Sequence, residues 1–199
     1  EILSDLAADR LILQDRDGDA PHLMATLHVV QIARGVLLAA VLVASGHLIA
    51  RFFDVPQAAW ALQILALVPL TKAFLHLDVR RCQRHVDNLG FAVVEAVPQL
   101  VALALTVPAL LIWPSFAVVV WLALGQAIAA VGLSHVLATR PYRLSIDWEV
   151  VSRLLRFSWP IWLSAIPLVA VYQGDRLIVG HYLGIEALAG LKPERVLIH

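Results

Sequence analysis

The chain has 199 residues, 60% of them hydrophobic and 15% charged, with a mean hydropathy of +0.80 and one cysteine. Soluble domains carry about 25% charged residues, so a water-soluble enzyme is excluded as the default. Fifteen Lys and Arg against fifteen Asp and Glu leave no net charge, which argues against a nucleic-acid partner; the lone Cys82 excludes a disulfide scaffold. The chain opens on Glu1 and a polar stretch with no signal peptide, which leads to the expectation of a fragment.

A bilayer core takes about 20 apolar residues per helix. Five windows meet this, at residues 26–53, 57–77, 91–113, 116–138 and 157–183. Runs such as Val118-Val119-Val120 do not alternate as barrel strands do. The predicted class is therefore all-α, a polytopic helical membrane protein of about five spans in contact with the lipid bilayer.

Short turns at Asp54-Val55-Pro56 and Trp113-Pro114-Ser115 separate spans one from two and three from four, with Phe52, Phe53 and Trp113 as interfacial aromatics. Arg10, Arg16, Arg80, Arg81, Arg84, Arg140, Arg143, Arg153 and Arg156 fall on one side and Arg51 on the other. By the positive-inside rule the first side, with loops 78–90 and 140–156, is cytoplasmic. Between spans four and five, Ser145 as a cap, then Asp147 and Glu149, together with Leu144, Trp148, Val151, Leu154 and Leu155 at helical spacing, predict a short interfacial helix.

Ionisable groups inside a span cost about 2.5–3.5 kcal/mol on insertion scales and are functional candidates by default. Arg34 lies roughly 12 Å into the first span, on a face shared with Gln31 and Ser45. With Lys72 and Glu95 in the same half of the membrane, these side chains are expected to line a cavity open to the cytoplasm, suited to an anion. The alternative is that the cations snorkel to headgroups and Glu95 pairs with one of them. Asp175 and Arg176 sit late in the fifth span and each needs a partner elsewhere. Pro69, Pro98, Pro108, Pro160 and Pro167 interrupt three windows and predict bends.

His76, Asp78, Cys82, His85 and Asp87 have the residue types of a zinc site, but Arg80, Arg81 and Arg84 are interleaved and repel a cation, so no metal is expected. No Gly-rich phosphate loop, nucleophile elbow or H-E-x-x-H occurs, so neither a catalytic residue nor a cofactor is predicted.

The order of segments resembles a known family. Leu154-Leu-Arg-Phe-Ser-Trp-Pro-Ile-Trp-Leu-Ser164, then Gly174-Asp-Arg-Leu-Ile-Val-Gly-His-Tyr-Leu-Gly184 and Glu186-Ala-Leu-Ala-Gly190, is similar to the start of the second half of the polysaccharide biosynthesis proteins. These are lipid-linked oligosaccharide flippases of the multidrug/oligosaccharidyl-lipid/polysaccharide exporter superfamily. Upstream, Ile12-Leu13-Gln14, Gln31-Ile-Ala-Arg-Gly35, Ile49-Ala-Arg-Phe-Phe53 and the Arg-rich loop follow in matching order, so the likeness covers roughly residues 4–191.

The resemblance implies a two-lobe transporter that moves a polyprenyl-pyrophosphate-linked oligosaccharide across the inner membrane by alternating access. Residues 1–139 would end the first lobe, 140–156 link the lobes, and 157–199 begin the second, with the remaining helices as partners. Arg34 matches the family's Arg-Gly position, and Asp175-Arg176 match its Asp-Arg. Lys72 and Glu95 match no motif. After Gly190 the sequence departs from the family, which again leads to the expectation of a truncated product. Two other readings stay open: a membrane enzyme of glycan assembly using the His76 to Asp87 loop, and a drug or ion antiporter using an embedded acid.

Overall fold

A computed structural model describes residues 12, 13, 18–156, 159, 163 and 167. Among these the chain is all-helical, without strands. Three helices are long and apolar enough to cross a membrane: α1 (Pro21–Phe52), α5 (Leu89–Ile112) and α6 (Ala117–Leu137). Helix α1 begins five residues before the apolar window does, because Pro21 can occupy a first-turn position where its missing N–H is no loss.

The second window is not one long helix. After a 3-10 turn at Pro56–Ala58 it forms α2 (Ala59–Leu65) and α3 (Leu67–Lys72), which meet at Ala66. Pro69 has no N–H to give the Leu65 carbonyl, and the turn loosens there, with the Ala66 N–H shared between the Leu62 and Gln63 carbonyls at 3.2 Å each. Ala66 keeps near-helical angles, φ −62° and ψ −22°, so α2 and α3 continue one another. Helix α4 (Asp78–Gln83) follows on the basic loop. The fifth window, with Asp175 and Arg176, lies outside the described residues.

Helices α5 and α6 form an antiparallel pair, α1 packs on α2 and α3, and α3 joins the two groups by packing on α6. The two short turns share one end of the bundle, where Trp60 meets Phe116 with ring centroids 5.5 Å apart. The Arg-bearing connections share the other.

The core sits at that basic end. Ile12, Leu23, Met24, Leu27, Leu77, Val150 and Leu154 bury one another, and Leu75, Val79, Val94 and Ala130 form a second cluster beside them. Mid-span side chains such as Leu37, Leu100 and Leu103 are exposed, as lipid-facing positions are.

The linker helix occupies residues 148–156, with two corrections to its expected detail. Its cap is Asp147 and not Ser145: the Asp147 carboxylate accepts the Glu149 N–H at 2.9 Å, and its carbonyl accepts the Val151 N–H. Its buried stripe is Val150 and Leu154, while Trp148 and Leu155 face outward. The linker is tethered to the start of α1, where the Asp147 N–H donates to Thr26 Oγ1 at 3.1 Å and the Ser145 N–H to the Ala25 carbonyl at 3.5 Å.

Candidate functional site

Four sequence-predicted residues meet in one place. Gln31 and Arg34 of α1, Lys72 of α3 and Glu95 of α5 line a cavity of about 210 Å³, together with Leu75, Arg80, Val94, Pro98, Gln126 and Ala130. The geometry follows from helical spacing. Residues 31 and 34 share one face of α1, α3 delivers Lys72 at its last residue, and Pro98 sits one turn beyond Glu95 and Val94 on α5.

A close contact between α1 and α3 makes this possible. A Cβ at Gly35 would overlap the Ala73 methyl and stand 2.8 Å from the Pro69 carbonyl oxygen, so only glycine lets α1 approach this closely. The adjacent Arg34 is thereby held at the cavity wall.

Gln31, besides lining the cavity, bridges two helices. Its amide nitrogen donates to the Lys72 carbonyl at 3.0 Å, which also accepts the Leu75 N–H, and to the Leu75 carbonyl at 3.3 Å, just past the end of α3. Gln31 is thus a clip between α1 and α3 whose donors are spent inside the protein. Ser45 likewise turns to its own helix, donating to the Val41 carbonyl at 2.6 Å.

Arg80 and Gln126 complete the lining and were not singled out from the sequence. Arg80 belongs to a loop whose arginines read as a solvated basic run, yet its guanidinium carbon stands 5.9 Å from the centre of the Phe91 ring. The one available signal for Gln126 is its being a lone amide in an apolar helix. The cavity thus carries three cationic side chains, Arg34, Lys72 and Arg80, and one carboxylate, Glu95, which is exposed at its edge.

Beneath it the basic loop is locked by two carboxylates. Asp78 is 1% exposed and accepts from Arg81 Nε at 2.6 Å, from the Thr139 N–H and hydroxyl at 2.8 Å each, and from the Arg140 N–H at 3.2 Å. Burial alone would raise its pKa, but the donors from Arg81 and Thr139 outweigh it and hold the carboxyl at about 2. Asp19, in the segment before α1, meets Arg81 at 3.3 Å, Arg84 at 3.6 Å and His85 at 3.3 Å, while its carbonyl accepts from Arg140 at 2.7 Å. Burial raises its pKa too, and again the Arg81 and His85 donors prevail and lower it.

The residues weighed for zinc are drawn apart by these bonds. His76 is buried among the rings of His28, His135 and Tyr142, Asp78 is filled by its four donors, and His85 turns to Asp19. Among the described residues no three His, Cys, Asp or Glu side chains converge on one point. The imidazole of His28 holds two segments at once, its Nδ1 bonding the Arg143 carbonyl and its Nε2 accepting the Leu77 N–H, both at 3.2 Å. Sequence reasoning missed this residue, whose partner at 143 is 115 positions away.

No curated protein and no solved structure matches the chain. A family model described as polysaccharide biosynthesis protein matches residues 1–192. With nearly its whole length matched and three apolar helices able to span a bilayer, the chain belongs to the polysaccharide biosynthesis protein family and has a membrane role.

Proposed function

We propose that the chain forms part of a transporter, not an enzyme, that flips a polyprenyl-pyrophosphate-linked oligosaccharide from the inner to the outer leaflet of a bacterial inner membrane. The observation that carries this reading is the meeting of Arg34, Lys72 and Arg80 on one cavity between apolar helices. A pyrophosphate is the group such a cavity suits: arginine offers planar paired donors to phosphate oxygens, and lysine a point charge. Charges inside a span are costly, and an anionic ligand offsets that cost.

The positive-inside rule puts the Arg-rich end in the cytoplasm, so the cavity faces the side on which such lipids are made. Arg34 is the first contact, with Lys72 and Arg80 as support. Gln31 sets the wall and does not bind substrate.

In cells that depend on this protein, Arg34→Ala is expected to lower surface glycan at least tenfold, while membrane fractionation shows the variant inserted at normal amount. Unchanged export would remove the assignment. Export that survives Arg34→Ala and is lost in Glu95→Gln would move it to ion antiport, the reading favoured by the carboxylate at the cavity's edge.

A further inference from the structure

The cationic cavity does not end at its polar wall. A second cavity of about 450 Å³ runs between α5 and α6, lined by apolar and small side chains such as Val101, Leu105, Trp121, Leu122 and Ala129. Pro98 and Gln126 line both cavities. On α6 the second one extends from Trp121 to Val136, roughly 22 Å at 1.5 Å per residue. Its volume falls in the range of ligand pockets, roughly 300–1,000 Å³. A polar, cation-lined chamber thus adjoins a long apolar groove, and the only polar side chain shared between them is Gln126.

We propose that the α5–α6 groove binds the isoprenoid chain of the same pyrophosphate-headed lipid, so that head and tail occupy the two joined cavities at once. This rests on the pyrophosphate reading given above. The two cavities are continuous and opposite in character, and a ligand with an anionic head and an apolar tail is the chemistry that satisfies both sides of the Pro98–Gln126 seam. Pro98 is buried at that seam and Val101, Leu105 and Trp121 open outward, so the tail enters from the bilayer while the head stays with the cations.

Glycine at 125 makes the groove testable. A Cβ there meets nothing within 4 Å, so a side chain built at 125 starts out into the open space of the groove that this glycine lines. Leu48, on α1, is exposed and lines neither cavity. Leu48→Phe is therefore the control.

Binding of a long-chain polyprenyl pyrophosphate, of the uncharged polyprenol and of inorganic pyrophosphate is measured on the purified full chain in lipid nanodiscs. Lipid tails are as apolar as the groove, so the comparison is made between variants at one lipid composition: Gly125→Phe should weaken long-chain pyrophosphate and polyprenol at least about tenfold relative to wild type and leave inorganic pyrophosphate unchanged. Leu48→Phe should alter none of the three. Should Gly125→Phe fail to insert, Ala102→Leu on the facing helix repeats the test.

Long-chain binding unchanged in the groove-filled variant overturns the groove and leaves the pyrophosphate site standing, provided Arg34→Ala still weakens both pyrophosphates. If Arg34→Ala weakens neither while Gly125→Phe abolishes polyprenol binding, the pyrophosphate reading fails and the groove stands. A photo-crosslinker at position 125 that captures another protein segment in place of the lipid also overturns the proposal.

Discussion

Removing the Asp78 carboxylate tests whether the basic loop is a built structure or a solvated run of charge. In Asp78→Ala the Thr139 N–H and hydroxyl and the Arg140 N–H lose their acceptor, and Arg81 keeps only its 3.3 Å contact with Asp19. Breaking a buried charge pair from one side costs about 3–5 kcal/mol, and the surviving Asp19 contact puts this case near the lower figure, about 3 kcal/mol. Asp78→Asn keeps one acceptor oxygen and loses the charge, for about half of that.

The assay is limited trypsin digestion of the protein in detergent, following cleavage at Arg80, Arg81 and Arg84, because α4 must open before the protease can seat its backbone. Cleavage that tracks the opened population should rise about a hundredfold in Asp78→Ala. The exposed Arg51, at the other end of the bundle, should be cut at an unchanged rate.

The same carboxylate sets an acid limit. Its folded pKa of about 2 lies below the ordinary 3.8, so its stabilisation is complete above the ordinary value and is lost as pH falls through about 2. The wild-type cleavage rate should therefore climb between pH 5 and pH 2 when followed with an acid-tolerant protease, by the equivalent of about 2 kcal/mol, and Asp78→Asn should flatten that climb. Cleavage in Asp78→Ala within about twofold of wild type would refute the reasoning, because it would mean that the four donors hold nothing.

Two further substitutions probe the bundle. Gly35→Ala forces a methyl into Ala73 and the Pro69 carbonyl, and separating α1 from α3 should cost about 2 kcal/mol of thermal stability and weaken the pyrophosphate binding proposed at Arg34 as the wall shifts. Val86 follows α4 at φ 63°, where its N–H bonds the Gln83 carbonyl and the Asp87 N–H bonds that of Cys82, a helix end that favours glycine. Val86→Gly should raise the melting temperature, by about 1 kcal/mol of released strain, since the exposed side chain gives up little packing.

Much of the architecture was legible in one dimension because the bilayer imposes a one-dimensional rule. An apolar run of sufficient length must close its own hydrogen bonds, which places α1, α5 and α6 within a few residues of their ends. The break at Ala66 and the start at Pro21 follow from local proline chemistry that an averaged hydropathy window does not resolve. The charged face of α1 was legible for the same reason that its apolar face was, namely that the costs of burying each differ in sign.

The chain's own order of residues determined the helical membrane class, the separation of charge between the two ends and the membership of Gln31, Arg34, Lys72 and Glu95 in a single cavity. Only the tertiary structure decided what each group does there. Gln31 is spent on carbonyls 41 and 44 residues away, Arg80 turns to Phe91 and the chamber, and Asp78 gathers donors from 139 and 140 that make a basic loop into a lock. Hydrogen bonds act over about 3 Å of space and are indifferent to sequence separation, so which polar group is consumed and which faces a ligand is settled only once the helices have packed.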